Sequence, residues 1–381
     1  YMLHATCYML HTTYYILHIT YYILHTTYYV LHTIHTYKRH KTKTKAGTCN
    51  ANIQVTTLAH QSKPPFERMA LIGLGLLGSS LALVAKREGL AGHIAGSTRS
   101  KETRDRAYEL GFLDSVHETA LEAVEGADLV VLCSPVGTYG DLAKAMAPGL
   151  RQGAIVTDVG SVKQAVVRDV GPHMPPGVHL VPGHPVAGTE QSGPDAGFAE
   201  VFEDRYCILT PPPGTDEVAI EKIAEFWRRA GSMIEIMDPH HHDRVLAITS
   251  HLPHLIAYTI VGTASDLETQ LIREAAEDSD VVRTREVIRY SAGGFRDFTR
   301  IAASPPEMWR DIFLNNRETV LEMLGRFTED LTALQRAIRW GEGDKLYDWF
   351  ERTREIRQGV VDMRQAGSFN PAEQKEEPET E

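Results

Sequence analysis

Residues 69–89 read MALIGLGLLGSSLALVAKREG. A short apolar run enters Gly73, Gly75 and Gly78, and a helix-period pattern of Leu, Ala and Val comes after it. Strand, tight turn and helix in that order let a diphosphate meet main-chain N–H groups at the helix N-terminus, so the spacing predicts a dinucleotide site. Leu76 and Leu77, inside the glycine pattern, belong to the same turn. A G-x-G-x-x-G run alone is weak, and this one gains weight from three further strands on schedule. HIAGSTRS (93–100), ADLVVLCSPV (127–136) and AIVTDVGSVK (154–163) each read as a strand with a polar turn at its carboxyl end. Doubly wound sheets bind ligands at those ends. Ser134, Pro135, Asp158, Gly160 and Ser161 are therefore expected to ring the nicotinamide end of the cleft.

The second strand ordinarily closes on an Asp or Glu that binds the adenosine ribose diol. Ser97, Thr98 and Arg99 stand there instead. With no carboxylate to repel a 2′-phosphate and a guanidinium able to pair with one, NADP is at least as well suited as NAD. The alternative is that Arg99 stacks on adenine or faces water and either cofactor is accepted.

Outward from this domain the pattern changes. After about residue 214 come EVAIEKIAEFWRRAGSMIEIM (217–237), DPHHHDRVLAITSHLPHLIAYTIVGTA (238–264) and MWRDIFLNNRETVLEMLGRFTEDLTALQRAI (308–338), long amphipathic stretches that predict helix-on-helix packing. Between the two parts, GHPVAGTEQSGP (183–194) holds His184 between a glycine and a proline, which biases its backbone away from the helical region and aims the ring. The His240–His242 run and the pair His251 and His254 invite a metal reading. No cysteine pair or supporting carboxylate motif accompanies them, and no metal is expected.

The 381 residues suit two ordinary domains, and a net charge of -11 argues against nucleic acid as a partner. Four scattered cysteines fit a reducing, cytoplasmic setting, and no uninterrupted apolar run of membrane-spanning length appears. Residues 1–35 repeat a seven-residue unit (YMLHATC, YMLHTTY, YILHITY, YILHTTY, YVLHTIH). Lacking helix-favouring charges, it is expected to be disordered, β-prone or a translated repeat outside the protein proper. The expected division is repeat and linker 1–65, dinucleotide domain 66–213, helical domain 214–366 and acidic tail 367–381.

Taken together, DVGSVK, GHPVAGTEQSGP, HDRVLAITSHLPHLIAY and GGFRDFTRIAASPPEMWRDIF, in this order behind GLGLLG, resemble the prephenate and arogenate dehydrogenases of tyrosine biosynthesis. The resemblance runs from about Arg68 to Arg364. It implies an α/β Rossmann-type dinucleotide-binding domain followed by an all-α dimerisation domain, with the active site between them, in a homodimer. The implied reaction is oxidative decarboxylation of prephenate or arogenate: hydride leaves C4 for NAD or NADP, the hydroxyl proton goes to a base, and the ring carboxylate departs as CO2.

By matching motif, His184 resembles the histidine that accepts the hydroxyl proton, and Ser161 the serine that shares the hydroxyl and the nicotinamide edge. Arg300 resembles the arginine that binds a substrate carboxylate, and a guanidinium fork suits that planar anion. His254 resembles a second substrate-side histidine and Trp309 a residue closing the pocket. Glu190 and Asp243 resemble acidic residues of an ionic network with Arg300 at the cleft mouth. Tyrosine inhibition is implied too and is expected to act in the active site. Two other readings stay open on the residues: a β-hydroxyacid dehydrogenase or imine reductase, and a nucleotide- or tyrosine-binding protein without turnover.

Overall fold

The computed structural model describes residues 63–277 and 291–362. The repeat and the acidic tail expected from the sequence lie outside the described residues.

Six parallel strands form the central sheet: β1 (Met69–Ile72), β2 (Ile94–Ser97), β3 (Ser115–His117), β4 (Leu129–Leu132), β5 (Ile155–Asp158) and β6 (His179–Leu180), in the order β3-β2-β1-β4-β5-β6. The order reverses between β1 and β4, the switch point where doubly wound sheets bind dinucleotides. Helices α1 (Leu76–Arg87), α2 (Lys101–Glu109), α3 (Ala120–Val124), α4 (Tyr139–Met146) and α5 (Lys163–Val170) make the crossovers. A strand covered on both faces must be apolar throughout, and β1 shows why. Met69 and Leu71 point into a core with Leu81, Val84, Phe202 and Trp227, while Ala70 and Ile72 point into another with Tyr139, Met146 and Val166.

A second sheet joins β7 (Gly183–Pro185), β8 (Tyr206–Leu209) and β9 (Met233–Ile236), with α6 (Glu217–Arg229) between the last two strands. Here the structure corrects the expected division at 213/214. Ile223, Phe226 and Trp227 of α6 are buried in the same core as Leu71, and β9 pairs in parallel with β8, so the sheet-bearing part runs to Ile236. The run 217–237, read from its pattern as helix, turns at Gly231 (φ +96°), a conformation that favours glycine, and continues as strand.

Asp238 caps the next helix, accepting the N–H groups of His240 and His241 (2.8 and 3.1 Å), with Pro239 at its first turn. That helix runs as α7 (Pro239–Leu246), a π-turn (Ala247–His251) and α8 (Leu252–Glu277). Such π-turns occur often at functional sites. Pro239–Arg273 is long and apolar enough to cross a membrane by length and composition. Its first half is instead bound to protein, since His242, Asp243 and His251 are fully buried. After α9 (Gly293–Thr299) and a 3-10 turn at Arg300–Ala303 come α10 (Pro306–Asn315), α11 (Arg317–Trp340) and α12 (Gly343–Asp362). Trp309 and Ile312 of α10 join the core that contains Val136 and Tyr139, which fastens the helical part to the sheet.

Trp227, fully buried and edge-on to both Phe202 and Phe226, centres the first core. Trp227→Ala is expected to lower unfolding free energy by about 3–5 kcal/mol, measured by denaturant titration.

Candidate functional site

The glycine turn is built for an anion. At Gly73 (φ +112°) a Cβ would stand 2.6 Å from the Cys133 carbonyl carbon and the Ser134 nitrogen, and at Gly78 it would collide with the Gly73 carbonyl oxygen. Those two glycines are required by the fold itself. Gly75 is different, because a Cβ there would meet nothing within 4 Å. The open space lies at the N-terminus of α1, where Gly75 offers no side-chain cap and the first turn carries no acidic residue. Uncapped N–H groups, helix dipole and free volume together fit a diphosphate. Leu76 is buried and Leu77 half-buried beneath the turn.

At the end of β2, Thr98 is half-buried and Arg99 exposed. Arg104 of α2 donates to the carbonyls of both (2.6 and 2.9 Å), fixing the turn that presents them. Beyond β4, Ser134 shares a hydrogen bond with the Thr138 hydroxyl (2.8 Å), and Pro135 is exposed at the cleft.

The most ordered chemistry lies where β7 meets α7. His184, on β7, is buried at 6% exposure, and its Nδ1 lies 2.8 Å from His242 Nε2. His242 Nδ1 in turn lies 2.9 Å from Asp243 Oδ1. A carboxylate only accepts, so neutral His242 carries its proton on Nδ1 and offers a lone pair at Nε2. His184 must then donate from Nδ1. Its Nε2 is left with a free lone pair, the form a proton acceptor needs.

Asp243 also accepts the main-chain N–H groups of Lys163 (2.8 Å) and Gln164 (3.0 Å), which begin α5. Burial pushes its carboxyl up, but the His242 hydrogen bond and those two N–H groups outweigh burial and hold it below the usual range. The structure thus corrects the expected place of Asp243: fully buried, it lies behind His242 and takes no part in an ionic network with Arg300. Glu190 does, its Oε2 standing 3.0 Å from Arg300 Nη1 on the 3-10 turn, where both side chains remain open to solvent.

Sequence reasoning also passes over Lys163. Its Nζ donates to Asp158 Oδ2 (2.5 Å) and to the carbonyl of Gly183 (2.6 Å), the residue before His184. Asp158 further accepts the N–H of Gly160 (2.8 Å) and of Gly183 (3.2 Å). Burial pushes the Asp158 carboxyl up and the Lys163 ammonium down, and their pairing opposes both. Removing either partner would strand a buried charge, a loss of about 3–5 kcal/mol.

Ser161 sits on the turn between β5 and α5, half-buried, with the ring of His251 against its main chain. Asn316 donates one N–H to the Asp243 carbonyl (2.9 Å) and the other to His251 Nδ1 (3.2 Å). His254 donates from Nδ1 to the Ser250 carbonyl (2.9 Å), so its Nε2 is also a free acceptor. Its ring lies flat on Trp309, centroids 3.6 Å apart. Trp309 is itself buried at 5% and serves as the plate under His254.

Burial is the main cause that lowers all four imidazoles. His184 falls well below its ordinary range, aided by His242, Lys163 and His251, and His251 is brought to about 4. Near neutral pH the site therefore presents neutral imidazoles.

Comparison with known proteins points to one family. The chain matches the prephenate dehydrogenase nucleotide-binding domain over residues 81–236 and the prephenate dehydrogenase dimerization domain over 238–352. It is 44% identical to the cyclohexadienyl dehydrogenase of Zymomonas mobilis, covering 77% of this chain and 95% of that one, and 32% identical to the prephenate dehydrogenase of Bacillus subtilis, covering 80% and 78%. Among solved structures, prephenate dehydrogenase from Aquifex aeolicus in complex with hydroxyphenyl propionate and NAD+ superposes with a TM-score of 0.68 at 32% identity, covering 77% of this chain and 98% of that one. Synechocystis arogenate dehydrogenase gives 0.62 at 25% identity, with coverage of 77% and 99%.

Two outcomes test the site. Gly75→Ala is expected to keep the melting temperature while weakening dinucleotide binding about tenfold or more by fluorescence titration, and Gly78→Ala to lower the melting temperature itself. For pH, folded His251 refuses a proton that the unfolded chain accepts below about 6.5, so stability is complete above that pH and falls toward pH 4. That one group accounts for about 3 kcal/mol. A His251→Gln variant should show a shallower decline in thermal melts over the same range.

Proposed function

The chain belongs to the prephenate dehydrogenase family, and from that membership we propose that it oxidatively decarboxylates prephenate to 4-hydroxyphenylpyruvate, or L-arogenate to L-tyrosine, with hydride passing to NAD(P)+. The observation that carries the reading is His184, a buried neutral imidazole with its Nε2 lone pair free and its direction fixed from behind. The dinucleotide, held through Gly73, Gly75 and Gly78 and flanked by Ser134 and Pro135, supplies the hydride acceptor. His184 takes the C4 hydroxyl proton as hydride leaves, a task for a group within hydrogen-bond reach and uncharged at working pH. Ser161 shares that hydroxyl. Arg300 pairs with a substrate carboxylate, which displaces or joins Glu190 on the guanidinium. His254, steadied by Trp309, faces the substrate with its free Nε2.

For the cofactor, the reading is that NADP is accepted at least as well as NAD. Thr98 and Arg99 replace the usual acid, and Arg104 holds the carbonyls of that turn. The assembly proposed is a homodimer. Ile260, Val261, Leu267 and Leu271 on α8 and Leu331 and Ile338 on α11 are exposed apolar side chains that a second copy would cover. Tyrosine, which resembles the product, is expected to compete with substrate.

The reduced-cofactor absorbance with prephenate and with arogenate, each paired with NAD and NADP, tests the reading, and no turnover with any pair overturns it. His184→Asn is expected to lower kcat about 10²-fold or more with dinucleotide affinity unchanged, and an unaltered kcat removes His184 from the mechanism. Arg300→Ala is expected chiefly to raise KM in steady-state kinetics. Light scattering on the eluting protein checks the dimer.

A further inference from the structure

We propose that His242 and Asp243 extend the base into a closed three-member relay, in which His184 and His242 together hold the hydroxyl proton during hydride transfer and return it to the product. The inference rests on the reaction proposed above. Its ground is the unbroken series of contacts from His184 Nδ1 to His242 Nε2 (2.8 Å) and from His242 Nδ1 to Asp243 Oδ1 (2.9 Å), and the burial of all three.

As the C4–H bond breaks and its electron pair leaves with the hydride, the C4 hydroxyl gives its proton to His184 Nε2, and the Nδ1 proton of His184 moves to His242 Nε2. C4 becomes a carbonyl carbon. His242 now carries both protons, and its positive charge lies against the Asp243 carboxylate. Breaking the bond between C1 and the ring carboxylate releases CO2 and drives that electron pair through the ring onto the C4 oxygen. The oxygen recovers a proton from His184 as the relay runs back. Hydride and CO2 leave, and the protein ends with the protons it began with.

A single imidazole would serve this poorly. His184 is desolvated and faces Lys163 and His251 besides His242, so a lasting charge on it is disfavoured. Burial, Lys163 and His241 lower His242 too, but there the Asp243 carboxylate in direct contact opposes them, a partner His184 lacks. His242 and Asp243 are fully buried and His184 nearly so, which suits a proton that is lent and returned without passing to solvent.

His242→Gln in the full chain is the test. Its amide oxygen can accept from His184 Nδ1–H and keep the ring aimed, but it cannot store a proton. The expected result is kcat reduced about 10²-fold, with KM and dinucleotide Kd within about twofold, and a kcat/KM that rises with pH between about 6 and 9 where the parent is flat. Asp243→Asn removes the charge and sets an amide N–H against the Gln164 N–H that Oδ2 now accepts, so kcat should fall about tenfold or more together with a lower melting temperature. A His242→Gln enzyme with parental kcat and a flat profile overturns the relay. Independently of turnover, nitrogen NMR of histidine-labelled protein, assigned by difference against His184→Asn, should show His184 protonated at Nδ1. Protonation at Nε2 overturns the proposal even if a variant fails to fold. A parent protein inactive on all four substrate and cofactor pairs defeats the reaction itself, a failure the nitrogen spectrum distinguishes.

Discussion

A buried carboxylate is tolerated only when its lone pairs are met, and Asp243 meets its own with two main-chain N–H groups at the start of α5 and the Nδ1–H of His242. That one group performs two tasks at once. As the cap that Val162 lacks, it joins the helical part to the turn carrying Ser161. As the anchor of His242, it decides which nitrogen of His184 bears a proton. Asn316, just ahead of α11, completes the joint by holding the Asp243 carbonyl and His251 together.

Around this joint the charges are divided with care. The Nζ of Lys163 is spent on Asp158 and the Gly183 carbonyl, so Lys163 steadies the strand under His184 and at the same time disfavours a positive imidazole there. The low-dielectric interior makes both effects stronger than they would be in water. The pair is therefore better understood as a device for placing β7 than as a source of net stability, since a buried ion pair gains little over well-packed apolar groups.

Much of this is legible in the sequence where the cause is local. The glycine turn, the parallel strands and the aimed histidine follow from neighbours within a few residues: Gly73 needs its positive φ, and Gly-His-Pro restricts His184. What escapes depends on partners far away in the chain. The family resemblance sends Asp243 to the cleft mouth. Its true partners, Lys163 and Gln164, stand 80 and 79 residues earlier, and no pattern announces them. Inside a histidine run His242 reads only as a metal ligand, although a histidine followed by an acid at a helix start is also the signal of an oriented imidazole. The helix of 217–229 goes to the wrong part on its pattern because amphipathic period tells that a face is buried and not against what.

The same contrast separates the two halves of the chemistry. His184 is fixed by its strand, by the His242 contact and by burial, the precision that its proposed part as proton acceptor requires. Arg300, the proposed carboxylate receptor, sits on a short exposed turn with its charge held by Glu190, and an exposed ion pair of this kind is worth at most about 1 kcal/mol. Between them lies Trp309, buried in the core beside Tyr139 and flat against His254. Through that indole the packing that docks α10 also sets the ring of His254.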